Sequence, residues 1–147
     1  MNFKSVMGAM IGASTLFATT VMAENHVVTA AVTAFKPIVV KIAPGDSVSW
    51  ENMNGHISNT VFTNTDQSKV EYIPEGATGW TSAMGDNYGT EPLTVEGVYL
   101  YKCDPHWGAG MGGVIIVGEP TNLEAIKATN PKGALKRLVK KADKAVK

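Results

Sequence analysis

A thiol, an imidazole and a thioether stand close together in this chain, where Cys103, His106 and Met111 are spaced as C-x2-H-x4-M. Thiolate, imidazole and a weak, distant thioether are the ligand types that hold copper in electron-transfer sites. Such a site needs a second histidine, and His56, which follows a loop-forming run, is the best candidate. The residue types therefore predict a copper site built from two separate loops.

Each of these residues has a simpler interpretation when it is taken alone. Cys103 is the only cysteine, so it has no disulfide partner within the chain and would be a small buried hydrophobic residue. Met111 alone would be a core residue, and His56 alone a polar loop residue. Zinc is the main rival metal, but methionine is a poor zinc ligand and structural zinc sites usually recruit more cysteines. The joint spacing favours copper.

The small number of histidines argues against an enzyme. A Cys-His nucleophilic pair needs an orienting third group and an oxyanion site, whereas Cys103 and His106 share one tight loop with a thioether. A copper oxidase or reductase needs further metal ligands, but after the four proposed ligands only His26 remains. We interpret His26 as having no partner and no role in the site. The sequence thus predicts one copper centre and no catalysis.

The N-terminus has the three parts of a secretory signal peptide. Lys4 gives a positive start, residues 6–17 are apolar and uncharged, and residues 21–23 form a small-x-small cleavage site before Glu24. A retained membrane anchor is the alternative, but the run is short for a bilayer span of about 20 residues. We predict a signal peptide over residues 1–23 and one domain over residues 24–147, which works in the periplasm.

Export of the protein would narrow the possible roles of the lone cysteine, Cys103. Disulfides persist in exported compartments, so an odd cysteine in a small exported domain needs another explanation. Intermolecular pairing and metal ligation are the main options. The nearby histidine and methionine favour the metal.

Charge is balanced over the whole chain but is unevenly placed. Residues 24–118 carry four lysines against ten carboxylates, a net charge of −6, and residues 119–147 carry eight basic residues against three acidic ones, a net charge of +5. A basic tail suits nucleic acid or an anionic membrane, but these cations follow a helical pattern and favour a solvated helix face. We expect no nucleic-acid partner, no membrane insertion after cleavage of the signal peptide, and a monomer.

Short strands separated by glycine and proline turns dominate residues 35–117. Apolar residues alternate on both sides of a turn at residues 44–46, and a further strand is predicted to begin at residue 97. Val98 and Leu100 lie on one face of that strand, and Tyr99, Tyr101 and Cys103 on the other. The last strand covers residues 113–117. This pattern predicts an all-β sandwich or barrel.

The C-terminal extension, residues 120–147, changes to helical patterns. Residues 121–124 have the Ser/Thr-x-x-Glu form of a capping box. Asn130 then stands as an N-cap before a first-turn proline, Pro131. Apolar residues follow at helical spacing, namely Leu135, Leu138, Val139, Ala142 and Val146. We predict two short helices packed on the sandwich.

At its ligand loop the chain resembles the cupredoxins, the small blue type 1 copper proteins, and among them the pseudoazurins. Residues 102–106 with Met111 match the shared ligand loop, and the two C-terminal helices, which plastocyanins lack, match as well. Four further stretches match in kind and order: residues 44–48, 55–56, 73–77 and 96–99. The resemblance implies an eight-stranded Greek-key β-sandwich with two short C-terminal helices. His56, Cys103 and His106 would be the strong ligands and Met111 the long axial one.

The resemblance also implies a function. Pseudoazurins hold one type 1 copper ion per monomer and shuttle single electrons between periplasmic redox proteins, typically to copper nitrite reductase or another denitrification enzyme. A periplasmic copper carrier or storage protein is the alternative, since the same ligands would hand over the ion itself. The cluster is predicted to be enclosed between rigid strands, and this favours electron transfer.

The chain departs from the family directly after the first histidine. Asparagine usually stands there and steadies the cysteine sulfur, but here residues 57–59 are Ile-Ser-Asn, and the stretch over residues 56–73 is longer than usual. Hydrogen bonds to the sulfur tune such a site. We predict that a backbone N–H of residues 57–59 still reaches the Cys103 sulfur.

The chain also departs from the family on its partner surface. Pseudoazurins ring the exposed histidine edge with lysines, whereas here the body is acidic and Asp104 adjoins the ligand. Long-range steering, which acts mainly on the association rate, would depend on Lys36, Lys69, Lys102 and the tail. An apolar patch is expected around His106, formed by Pro105, Trp107 and Ala109.

Overall fold

The computed structural model describes residues 22–147, so the predicted signal peptide, residues 1–23, lies almost wholly outside the described residues. These residues form nine strand segments and two helices. The strands are β1 (Asn25–Ala31), β2 (Ala34–Lys36), β3 (Val39–Ile42), β4 (Ser47–Glu51), β5 (Val61–Thr63), β6 (Lys69–Glu71), β7 (Tyr88–Gly89), β8 (Gly97–Lys102) and β9 (Gly112–Val117), and the helices are α1 (Leu123–Ala128) and α2 (Gly133–Ala145). Within residues 22–147 no helix is long and apolar enough to cross a bilayer.

Two sheets pack against each other as a sandwich. One has the strand order β2-β1-β4-β7 and the other the order β3-β9-β8, with parallel pairs between β1 and β4 and between β3 and β9. Alternate residues of both sheets meet in the main core, which includes Phe35, Trp50 and Tyr101. The predicted all-β sandwich with two short C-terminal helices is therefore confirmed.

Strands β8 and β9 are buried on both faces, which explains why they are apolar except for Lys102 at the end of β8. Tyr99 and Tyr101 face the main core, whereas Val98 and Leu100 face a second core under the helices, as their alternation predicts. Leu138, Val139 and Ala142 of α2 are buried in this second core. The sheet that carries the ligand loop is thus covered on both sides.

The turn at residues 44–46 passes the chain from one sheet to the other. Asp46 N–H donates to Ala43 O at 3.1 Å, and Gly45 has a φ of +98°, which glycine adopts without strain. The flanking strands β3 and β4 do not pair with each other, because each joins a different sheet. The predicted turn and its two strands are present.

The interpretation of His26 as a residue without a partner is wrong. Its Nε2 lies 2.9 Å from Oδ2 of Asp46, in the turn between β3 and β4. The contact joins residues 20 positions apart. It arises because β1 and β4 run parallel, with Asn25 opposite Ser47, and this pairing brings the two side chains to one edge.

Both predicted helix caps differ in the structure. Asn122, rather than Thr121, is the N-cap of α1, and its side chain bonds both the N–H and the C=O of Val98 instead of closing a capping box. Asn130 has a φ of +52°, and its N–H donates to Lys127 O at 3.1 Å. It therefore lies at the C-terminal end of α1 rather than at the start of the next helix. Helix α2 consequently begins at Gly133, beyond Pro131.

The longer stretch after His56 forms a hairpin of its own. Strands β5 and β6 pair antiparallel as a separate two-stranded sheet. They are two of the nine strand segments in residues 22–147, where the resemblance implied eight strands. The hairpin is not a free flap, since Phe62 packs edge-on against the rings of Tyr72 and Trp107. Trp107 lies in the ligand loop, so this hairpin borders the candidate site.

Candidate metal centre

His56 is held by a tight turn that precedes it. Its N–H donates to Met53 O at 2.7 Å, its C=O accepts from Gly85 N–H at 3.0 Å, and Gly55 supplies the positive φ of +77° that the turn requires. The side chain is buried, with 7 % of its surface exposed. The side chain of His56 is therefore held in one orientation.

The ligand loop, residues 103–111, connects the last residue pair of the β8–β9 hairpin, Lys102 and Gly112. A 3₁₀ turn over Asp104–Ala109 bends it, and Gly110, at a φ of +83°, reverses the chain. Two backbone hydrogen bonds close the loop across its base, from Cys103 N–H to Met111 O and from Met111 N–H to His106 O. The backbone thus ties the three predicted ligands of this loop together.

Four predicted site residues come from these two loops, and three of their ligand atoms converge. Nδ1 of His56 lies 3.7 Å from the Cys103 sulfur and Nδ1 of His106 lies 3.4 Å from it, although His56 is 47 residues away in sequence. All three ligand atoms lie within 4.8 Å of one another. Met111 is buried in the same core cluster as Cys103. The structure therefore brings the ligand atoms of His56, Cys103 and His106 together from the two loops.

The donor chemistry of this cluster fits copper. Cys103 is fully buried and unpaired, and it faces two imidazole nitrogens, which is the His2Cys set that soft copper sites use with an axial thioether. Burial, with a smaller contribution from the charge of His106, holds the pKa of His56 below its ordinary value. A lowered pKa favours the neutral imidazole, which is the form that offers a lone pair to a metal.

The predicted backbone hydrogen bond from residues 57–59 to the Cys103 sulfur is wrong. Ser58 N–H donates to Ser82 Oγ at 2.9 Å, and Asn59 N–H donates to Lys102 O at 3.0 Å. The Ser58 hydroxyl in turn accepts from the indole of Trp80. The stretch after His56 therefore bonds to the neighbouring chain segments, and in the part of the chain described none of its N–H groups is bonded to the sulfur.

Asn59 has a role that the sequence reasoning did not foresee. Its backbone exchanges two hydrogen bonds with Lys102, directly before Cys103, and its side-chain amide donates to Asp104 Oδ2 at 2.9 Å, directly after it. Its side-chain oxygen accepts from Val61 N–H and from the hydroxyl of Thr81. Asn59 therefore fastens both flanks of Cys103, and its place three residues after His56 is the signal that could have identified it.

Asp104 does not leave a free negative charge beside the site. Its second oxygen accepts from the ammonium group of Lys102, which is 8 % exposed and lies 5.8 Å from the ring centroid of Phe62. Lys102 is thus a buried ion-pair partner, and the expectation that it steers partners through solvent is wrong.

Among the four predicted ligands, His106 comes nearest to solvent. Its side chain is partly exposed, while the other three are buried. Pro105 and Ala109 are exposed beside it, and Trp107 is partly buried against the hairpin. Gly110 lies under the guanidinium of Arg137, where a Cβ atom would come within 2.5 Å of Nη2. His106 is therefore surrounded by an apolar rim, with the guanidinium of Arg137 at its edge.

Comparison with known proteins agrees with this site. Residues 21–118 match the family described as copper binding proteins, plastocyanin/azurin family. The pseudoazurin of Paracoccus pantotrophus is 36 % identical over 111 residues, covering 71 % of this chain and 68 % of that protein. A putative pseudoazurin of Rhizobium leguminosarum is 35 % identical over 146 residues, covering 89 % of this chain and 88 % of that one.

A solved structure gives the same answer for the fold. The pseudoazurin of Sinorhizobium meliloti superposes with a TM-score of 0.63 at 35 % identity, covering 79 % of this chain and 94 % of that chain. Copper is accordingly the cofactor that both the donor set and the relatives indicate. The chain belongs to the plastocyanin/azurin family of copper-binding proteins, the blue copper electron-transfer proteins, and within it is similar to the pseudoazurins.

Proposed function

We propose that His56, Cys103, His106 and Met111 hold one copper ion, and that the mature protein carries single electrons between redox proteins of the periplasm. The observation that carries this proposal is the approach of two imidazole Nδ1 atoms to one buried cysteine sulfur, at 3.7 and 3.4 Å. When bound, copper would supply a one-electron redox couple. The protein itself has no catalytic role in this proposal, and export by the signal peptide over residues 1–23 would place it in the periplasm.

The rigidity of the two loops supports electron transfer over copper delivery. His56 is fixed by its turn, and Cys103 and Met111 are joined by a backbone hydrogen bond across the base of the ligand loop. Ligands that are held in one arrangement have little to reorganise when the charge at the site changes. A delivery protein needs ligands that release the ion, and buried side chains such as Cys103 and Met111, at 0 % and 1 % exposure, are poorly suited to that.

Reversible colour is the test of this function. Addition of cupric ion to the purified mature protein is expected to give an intense visible thiolate-to-copper absorption, which ascorbate bleaches and ferricyanide restores. Slow loss of copper to a chelator, over hours, would support an electron carrier. Rapid exchange within seconds would instead support the copper carrier, and a protein that stays colourless would contradict both the ligand assignment and the function.

We further propose that its partners present an acidic docking surface, copper nitrite reductase being one candidate. Lys132 and Arg137 are exposed and, among the described residues, form no ion pair, and both line a groove whose floor includes Trp107, next to His106. Asp104, which follows Cys103, is paired with Lys102, and Asp66 is the one carboxylate among the residues that line the groove, against the two cations. The net charge beside His106 is therefore positive, although the sandwich as a whole is acidic.

Reversal of the charge at Arg137 is expected to slow electron transfer to an acidic partner. Because steering charges act on the association rate, the Arg137→Glu variant should lose about tenfold in its second-order rate constant at low salt, and much less at high salt. Lys144→Glu, the same charge change towards the far end of α2, is the matched control. Stopped-flow kinetics with nitrite reductase at several ionic strengths would measure both. Equal slowing by the two variants would remove the proposed surface.

A further inference from the structure

The carboxylate of Asp46 is nearly buried and has three hydrogen-bond partners. Its side chain stands in the turn between β3 and β4 and the residue is 6 % exposed. Oδ1 accepts from the backbone N–H of Glu24 at 2.8 Å, while Oδ2 accepts from Ala43 N–H at 3.1 Å and lies 2.9 Å from His26 Nε2. These donors, with that of Glu24 first, hold the pKa of Asp46 below its ordinary value, so the group is a carboxylate at neutral pH.

The donor at Oδ1 is the first backbone group predicted to remain after export. Residues 21–23 form the expected cleavage site, and Glu24 follows it. Glu24 also begins the pairing of the chain with its neighbour, since its C=O accepts from Ser47 N–H at 2.9 Å. The residue that follows the predicted cleavage point is therefore one whose N–H and C=O are both bonded to the β3–β4 turn and β4.

Cleavage would change the chemistry of this nitrogen. Hydrolysis breaks the Ala23–Glu24 peptide bond, water gives its hydroxyl to the Ala23 carboxyl carbon, and the Glu24 nitrogen gains protons to become an α-ammonium group. An amide nitrogen with one N–H becomes a cation with three donors, and its pKa in an unfolded chain is about 7.7–8.0. The amide bond to the carboxylate is already charge-assisted on the acceptor side, and a charge on the donor adds the Coulombic attraction between two opposite charges.

We propose that Asp46 is a receptor for the new N-terminus, so that removal of the signal peptide turns a hydrogen bond between a neutral amide and the Asp46 carboxylate into a part-buried ion pair that fastens β1. Strand β1 lies inside its sheet, between β2 and β4. Chain termini are usually poorly ordered unless they are tied down, and this ion pair would tie down the free end of an interior strand. The inference rests on the proposed cleavage after Ala23 and not on the copper site.

The titratable groups around the ammonium position are few. Asp46 and His26 face it from the turn and from β1, and the Glu24 side chain itself is exposed. The neighbouring residues of the strand pair, Asn25 and Ser47, are neutral. Since the carboxylate raises the ammonium pKa in the folded state, the added stability is complete below about pH 7.7, the pKa of the unfolded chain, and is lost as the pH rises through the folded pKa.

A pair of mature chains that differ by one residue tests the proposal. One begins at Glu24 and the other at Ala23, so both carry an N-terminal charge but only the first places it at Asp46. Each is made with and without Asp46→Asn, and thermal unfolding of the copper-loaded proteins is followed at pH 6 and pH 10. The Glu24 form is expected to unfold about 2–6 °C higher at pH 6, with the difference smaller at pH 10 and absent in the Asp46→Asn pair.

Three outcomes would overturn the inference. The two chains could unfold at the same temperature at pH 6, or their difference could persist in the Asp46→Asn pair. Mass spectrometry of the exported protein could also show a mature N-terminus at a residue other than Glu24. The visible absorption of copper in these samples reports separately on the metal site, so a failure of the copper proposal would not be mistaken for a failure of this one.

Discussion

Replacement of Cys103 by serine is expected to abolish the intense visible absorption of the copper-loaded protein. The absorption depends on the thiolate that two imidazole nitrogens face in the buried cluster, and the chain has no second cysteine to replace it. A hydroxyl is a poor ligand for a soft metal. Copper affinity should fall by more than about 100-fold, since loss of even an outer-shell partner of a ligand costs 10–100-fold. Titration with copper, followed by absorption and by a competing chelator, measures both effects.

Met111→Leu is the matched control for this experiment. Leucine keeps most of the volume of methionine in a position that is 1 % exposed, so the fold should be retained. As Met111 is proposed as the weak axial ligand, the variant should stay coloured and bind copper, with a changed reduction potential. A coloured Cys103→Ser protein would contradict the ligand assignment. Equal loss of colour in the two variants would contradict the distinction between strong and axial ligands.

Replacement of Asn59 by alanine is expected both to destabilise the protein and to alter its copper site. The side chain of Asn59 makes three hydrogen bonds, to Asp104, Val61 and Thr81, and the residue is 7 % exposed. Leaving a buried polar group without its partner costs roughly 1–3 kcal/mol, so the free energy of unfolding should fall by about that amount. Because Asp104 follows Cys103 directly, the absorption spectrum and the reduction potential should shift as well.

Exchanging the side chains of Asn59 and Asp104 provides the control for the Asn59→Ala variant. Asn59→Asp keeps the oxygen that accepts from Val61 and Thr81, but it places a second carboxylate against Asp104. Adding Asp104→Asn restores one amide and one carboxylate to the pair and should recover part of the stability and spectrum. Chemical denaturation and spectroscopy of the three variants separate these effects. An Asn59→Ala protein with unchanged stability and spectrum would show that the contact does not position the ligand loop.

A candidate ligand cluster could be proposed from the sequence because the information that defines it is local. The spacing of Cys103, His106 and Met111 within one loop restricts them to a common point, and the alternation in β8 identifies its two buried faces. His56 required a further assumption, that two separate loops lie at the same end of a sandwich. The structure brings its Nδ1 to the sulfur, so this assumption was sufficient.

Contacts between distant strands could not be predicted in the same way. The partner of His26 is a turn residue 20 positions away, which only the parallel pairing of β1 with β4 brings near. Asn130 is a good N-cap by type, but the same side chain is also suited to a positive φ at the end of a helix, and tertiary packing selected the second role. The donors of residues 57–59 were misassigned because Ser82 and Lys102, their acceptors, belong to other elements.

The late position of β9 has a consequence for how this chain is made. Strand β9 pairs with both β3 and β8 and supplies buried residues to both cores, yet it ends at Val117. A chain that emerges N-terminus first, from a ribosome or an export channel, can close neither core until almost four-fifths of it has appeared. Folding that depends on such distant pairings is slow. For the proposed export, this order of strands would leave both cores open during most of the passage of the chain, when translocation requires an extended chain.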